Sequence, residues 1–269
     1  MTATPSAVDR ESFQKQLDEL RVREKAHTRE GDAIAAARRR LPMVEVDSKT
    51  PLVGAAGTVT LLDAFESRTQ LFASYHMWHT GLPAADQCEG CTYFTGQALE
   101  LSYLHSRDVT FAVFCEGPYP ESSRYRDFMG WHMMPWYSLP KESYSRLAID
   151  TSGRHNFGMK SCYLRDGDRV FETYWNTSRG VEPMGSSYGM LDMTVYGRQE
   201  LWEDSPEGWP QRFRTDSDQF RSEEGGVGKT QTLRSGISGR PIPQWTRLAA
   251  GHVDDLGSTT APLAKDHCH

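Results

Sequence analysis

The sequence predicts an α/β fold, a central sheet with helices on both faces. Three observations carry that prediction. Extended and helical patterns alternate between residues 51 and 203, in the order strand, helix, strand, helix, hairpin. The segment "DVTFAVFCEG" is almost continuously apolar, as expected of a strand covered on both sides. The segment "KSCYLRDGDRVFETYW" reads as two alternating runs about Asp166-Gly167-Asp168, a β-hairpin. Around this unit the chain divides into an N-terminal helical extension (1–50), the sheet domain (51–203) and an irregular C-terminal tail (204–269).

In residues 9–40, Phe13, Leu17, Leu20 and Val22 fall on a helical stripe with charges between them. Gly31-Asp32 is expected to interrupt this helix, and Pro42 to stop a second short one through "AIAAARRR". The run Arg38-Arg39-Arg40 reads as a solvated helix end whose cations complement the dipole, in preference to an anion site. Next, "TVTLLDAF" gives a short strand or hairpin and a turn, and "TQLFASYHM" gives a strand running into a cysteine loop. "CTYFTGQALELSYLHSR" has helical spacing, with Phe94, Ala98, Leu101 and Leu104 on one face. "PESSRYRDFMGW" is a further helix ending near Gly130, and "MMPWYSL" an extended segment held by Pro135. "YGMLDMTVYGRQE" closes the domain as a helix or turn. Beyond about residue 203, Gly, Pro, Ser and charge dominate, which reads as a tail that wraps the domain with its tryptophans or stays partly disordered.

Composition narrows the function classes. Across 269 residues, apolar content is 38% and charged content 25%, typical of a soluble globular chain. A net charge of −6 gives no general electrostatic case for nucleic acid or an anionic membrane as partner. No apolar run approaches the roughly 20 residues of a spanning helix. "MTATPSAVDRESFQKQLDEL" lacks an apolar signal core, so a cytoplasmic location is expected. "EEGGVGKT" is not a phosphate loop, because Glu223 stands at its first glycine position and no apolar strand precedes it.

The five cysteines are an odd number, which argues against a disulfide scaffold. Cys115 and Cys162 read as small buried hydrophobes. Cys88 and Cys91 form a Cys-x-x-Cys pair between a strand and a helix. There, unpaired N–H groups and the positive helix end stabilise a thiolate, which is both nucleophile and metal ligand. Asp86 and Glu89 oppose this with negative charge, and Gly90 stands where thioredoxin usually has proline. His79, and less so His76, are the nearest imidazoles in sequence, and "GWHMMPW" adds His132. Two thiolates and an imidazole suit Zn²⁺ or Cu⁺, so Cys88, Cys91, His79 and His132 form a candidate ligand set.

The segments "QCEGCTYF", "LSYLHSRDVTFAVFCEGPY", "YRDFMGWHMMPWYS", "YLRDGDRVFETYWNTSRGVEPM" and "LDMTVYGRQELWEDSPEGWPQ" together resemble a bacterial thioredoxin-like family of unknown function, over roughly Arg10 to Gln211. The resemblance implies a thioredoxin-like central sheet. More distantly, the motif order resembles the peroxiredoxin and Sco branches of that superfamily. "PAADQCEGC" departs from the peroxidatic motif at Asp86 and Gln87. Sco-type copper proteins place three residues between their cysteines and use a later histidine; here two residues intervene, and His155 is the weakly matched counterpart.

Two functions are therefore expected. In the first, Cys88 attacks a thiol/disulfide or small-molecule substrate, Cys91 resolves the mixed disulfide, Pro135 lines the groove and a cellular reductant restores the pair. Trp78, Tyr93, Trp131 and Trp136 would wall a pocket, covered by the N-terminal helices and the tail. In the second, Cys88, Cys91 and His79 or His132 hold copper or zinc for storage, delivery or oxidative chemistry.

Overall fold

A computed structural model describes residues 3–147, 159–200 and 202–211, with 244 and 247. His155, Cys268 and most of the predicted tail, including "EEGGVGKT", lie outside the described residues.

Eight strands form one mixed sheet in the order β1-β8-β7-β4-β5-β6-β2-β3. The strands are β1 (Val44–Val46), β2 (Pro51–Gly54), β3 (Gly57–Thr60), β4 (Gln70–His76), β5 (Val109–Cys115), β6 (Trp136–Ser138), β7 (Lys160–Asp166) and β8 (Arg169–Asn176). β4 is parallel to β5, β5 is parallel to β6, and β7 and β8 are antiparallel to their neighbours. A central strand flanked by one parallel and one antiparallel partner, with a terminal hairpin, is the thioredoxin-like arrangement, so the expected fold class is observed.

The apolar run in β5 buries both of its faces, and its residues alternate between two cores. Ala112 and Phe114 join Leu71, Ala73 and Tyr75 of β4 and Tyr144 and Leu147 of α5 (Lys141–Leu147). Phe111, Val113 and Cys115 join Trp78, Trp131, Trp136 and Tyr125 of α4 (Tyr119–Phe128). The predicted hairpin is β7–β8, closed by Gly167-Asp168. Gly167 sits at φ 60, the left-handed geometry a two-residue hairpin turn needs at its first central position.

Three expectations are corrected. Helix α1 (Arg10–Arg38) runs unbroken through Gly31-Asp32. A mid-helix glycine costs about 1 kcal/mol, and cooperative propagation through well-formed flanks overrides it. Residues Val44–Val46, within the segment read as helical, pair as a strand with the edge of β8. The long helix expected after Cys88 is two, α2 (Glu89–Gly96) and α3 (Ser102–His105). The Glu100 carboxylate accepts from the N–H groups of Ser102 (3.1 Å) and Tyr103 (3.3 Å), which starts a new helix at that point. The segment "YGMLDMTVYGRQE" supplies α6 (Ser186–Asp192).

Candidate functional site

Cys88 caps α2 at the C-terminal end of the central strand. Its sulfur accepts the N–H of Cys91 at 3.3 Å, one of the donors the first helical turn leaves unpaired. The Cys88 thiol donates to Cys91 Sγ across 2.8 Å, and the N–H of Met77 approaches the same sulfur at 3.4 Å. Cys88 is half-buried and Cys91 is buried, so the first sulfur is the reachable one. The hydrogen bond from Cys88 lowers the Cys91 pKa; burial opposes this, and the nearby Lys160 charge and the Met77 N–H assist it.

Gln87 clasps the loop before the pair, and Glu121 accepts the Gly81 N–H at 2.6 Å. Gln87 is fully buried. Its Oε1 accepts the His79 N–H at 3.0 Å, and its Nε2 donates to the carbonyls of His79 (2.9 Å) and Leu82 (3.0 Å). Gln244, from beyond the main described segment, donates to the Ala84 carbonyl at 3.0 Å and buttresses the same loop. On the helix side, Thr92 Oγ1 donates to the Cys88 carbonyl at 2.7 Å and lies 2.6 Å from the Tyr125 hydroxyl, tying α2 to α4.

Lys160 was missed by the sequence reading. It is the first residue of β7 and is only 4% exposed. Its Nζ donates to Ser74 Oγ of β4 at 2.8 Å and lies 5.9 Å from the centre of the Phe94 ring on α2. Burial lowers the lysine pKa, while the two cysteine sulfurs raise it. The signal was available: alternation along the hairpin puts Lys160 on the same face as Cys162, which had been assigned to the interior.

His76 is also fully buried, ringed by Trp78, Tyr125 and Trp136 at centroid distances of 5.4 to 6.5 Å. Its Nδ1 lies 2.9 Å from the Met77 carbonyl, which requires the proton on that nitrogen, and Nε2 has no partner. Burial drives its pKa down to about 3, so the ring is neutral at pH 7. The other two described cysteines behave as interior groups: burial pushes the Cys115 thiol well above its usual range and Cys162 up to about 11.

Of the candidate residues, Cys88 and Cys91 are brought together. Pro135 precedes β6, and its carbonyl accepts the Val113 N–H at 2.9 Å. The register carries it two strands from β4 and below the level of His76. His132 is exposed beyond α4, with Nδ1 3.4 Å from Asp127 Oδ1. Among the described residues, no three His, Cys, Asp or Glu side chains gather as a metal site. Trp78, Trp131 and Trp136 are buried in the core, and Tyr93 packs against Tyr188 of α6 at 4.9 Å.

Residues 2–220 match the family described as "Bacterial protein of unknown function (DUF899)". The chain belongs to this family. No curated protein matches the sequence. Among solved structures, BsSco, a member of the Sco family of cytochrome c oxidase assembly proteins, is similar at 14% identity and a TM-score of 0.30, over 50% of this chain and 86% of its own. An uncharacterized conserved protein from Geobacillus kaustophilus is similar at 13% identity and a TM-score of 0.29, over 76% of this chain and 90% of its own. Among the described residues, no helix is long and apolar enough to cross a membrane.

Proposed function

We propose that this chain is a dithiol oxidoreductase acting through Cys88 and Cys91. The supporting observation is the pair itself, two sulfurs 2.8 Å apart with the more exposed one capping a helix. A disulfide bond is about 2.05 Å long, so closure needs a sub-ångström approach of the sulfurs.

In the forward direction Cys88 passes its thiol proton to Cys91 along their hydrogen bond, and the resulting thiolate attacks one sulfur of a substrate disulfide as Cys91 releases that proton. A mixed disulfide forms, and the other substrate sulfur leaves as a thiolate that takes a proton. The Cys91 thiolate, favoured by its hydrogen bonds and by Lys160, then attacks Cys88 Sγ and expels the second substrate thiolate. The substrate has gained two electrons and two protons, and the protein holds a Cys88–Cys91 disulfide. An external dithiol reductant returns the pair to its starting state. This reading suits a reducing compartment such as the cytoplasm.

The test is a thiol count with peptide mapping. Diamide should remove two thiols, mapped to a Cys88–Cys91 bond, and dithiothreitol should restore them. The variants Cys88→Ser and Cys91→Ser should form no such bond. Two free thiols at 88 and 91 after diamide would end the proposal.

A further inference from the structure

A cavity of about 130 Å³ opens on the Lys160 face of the sheet, between β7, β8 and the C-terminal end of α1. Lys160 and Arg38 line it, with Phe72, Val181, Pro183 and Met184 supplying apolar wall and Cys162 a thiol. A cavity near 150 Å³ holds a benzene ring, so the space fits a small organic molecule. Its two cations are of different kinds. Arg38 is exposed, with its guanidinium carbon 5.0 Å from the centre of the Tyr174 ring. Lys160 is buried, and its ammonium offers three donors where the Ser74 hydroxyl takes one. No carboxylate is among the lining residues.

We propose that this cavity is an anion subsite of the dithiol centre, taking a small organic carboxylate whose apolar body lies against Phe72, Val181, Pro183 and Met184, and that Lys160 couples its occupancy to the state of the cysteine pair. The coupling rests on the dithiol reading given above. Lys160 lines the cavity, and its Nζ lies 5.9 Å from the centre of the Phe94 ring on α2, the helix that Cys88 caps, where the cysteine sulfurs favour its charge. In the reduced protein the Lys160 charge and the sulfur charge of the pair favour each other. When the pair closes, two thiols lose two protons and two electrons to an oxidant such as diamide, and that negative charge disappears. Burial then disfavours the Lys160 charge with no sulfur charge to offset it, and a carboxylate in the cavity would supply the counter-charge. Oxidised protein should therefore bind the anion more tightly, and by linkage the anion should favour the disulfide by the same factor. This also revises the reading of Arg38 as merely a solvated helix end.

Cys162 reports occupancy without turnover. In the Cys88→Ser, Cys91→Ser chain, alkylation of Cys162 by iodoacetamide would be followed by peptide mass spectrometry. Benzoate is the probe and neutral benzamide the isosteric control. Benzoate at ten times its dissociation constant should slow alkylation by about tenfold, and benzamide should not. Lys160→Met should weaken the benzoate effect by about tenfold or more. Arg38→Gln, at an exposed residue whose replacement cannot disturb the core, should weaken it by about threefold. Equal protection by both probes, protection by neither, or protection indifferent to Arg38→Gln would overturn the subsite. In the native chain, benzoate should bind about tenfold tighter after diamide than after dithiothreitol. Equal affinity in a chain whose disulfide has been mapped would overturn the coupling, whereas failure of the disulfide itself is read separately by the thiol count.

Discussion

Helices α1 and α2 both show helical apolar spacing in the sequence, yet they are built on opposite principles. α1 has 29 residues and buries none of them. Phe13, Leu20, Val22 and Ile34 stay 43% to 66% exposed. Its support is local: Asp9 caps the Ser12 N–H at 2.8 Å, Glu11 stands in the first turn and Arg38 in the last. α2 has eight residues and buries Glu89, Cys91, Thr92 and Thr95. It depends on the central strand and α4 for its place, and it carries the cysteine pair. Helical periodicity alone does not say which stripe will find a partner; the neighbouring strand decides that.

The sharpest way to break this contrast is at the sulfurs. Cys91→Ser should abolish disulfide turnover and leave Cys88 trapped in a mixed disulfide with substrate, visible as added mass that dithiothreitol removes. Its unfolding midpoint should change far less than its activity. Next, Phe114 is fully buried in the central sheet. Phe114→Ala should cost about 3–5 kcal/mol in urea unfolding, a loss that no single position on α1 can match.

His76 gives the contrast a pH axis. Its folded pKa is about 3, below the 6.5 of a free imidazole. Between those values the unfolded chain binds a proton that the folded chain does not, so stability rises with pH there and falls on acidification. The slope from this group is about 1.4 kcal/mol per pH unit. His76→Leu should flatten the profile between pH 6 and 4, measured by urea unfolding at each pH; an unchanged slope would show that the ring is not held neutral. At the small end, Asp9→Ala should lower helical ellipticity slightly and speed amide exchange in the first turn of α1. The cooperative unfolding midpoint should not move.

How much was legible follows the same division. The strands β4, β5, β7 and β8 were readable because burial on one or two faces writes itself as period-two or continuous apolar runs. The Cys88 helix start was readable from the strand, the cysteine spacing and the helix beyond. The break between α2 and α3 was not, because it depends on the Glu100 carboxylate folding back onto two N–H groups. Pro135 was assigned to the groove because its distance in sequence says nothing of register, which sets it two strands away. Lys160 was passed over because a lysine in a strand is by default a solvent-facing residue. Its alternation with Cys162 and its pairing opposite Ser74 place it on the inward face.

The Gln87 amide has a wider meaning. By accepting one N–H and donating to two carbonyls of the preceding loop, it does for residues 79–82 what a neighbouring strand would do. The loop is in effect paired with a side chain. The clasp holds only main-chain atoms, so substitutions in the loop leave it intact except at Gly81, whose φ of 77 requires glycine. Position 87 has no such freedom: asparagine is a methylene too short, and glutamate would set an acceptor against carbonyls. The loop can vary in sequence while the sulfur beside it stays where it is.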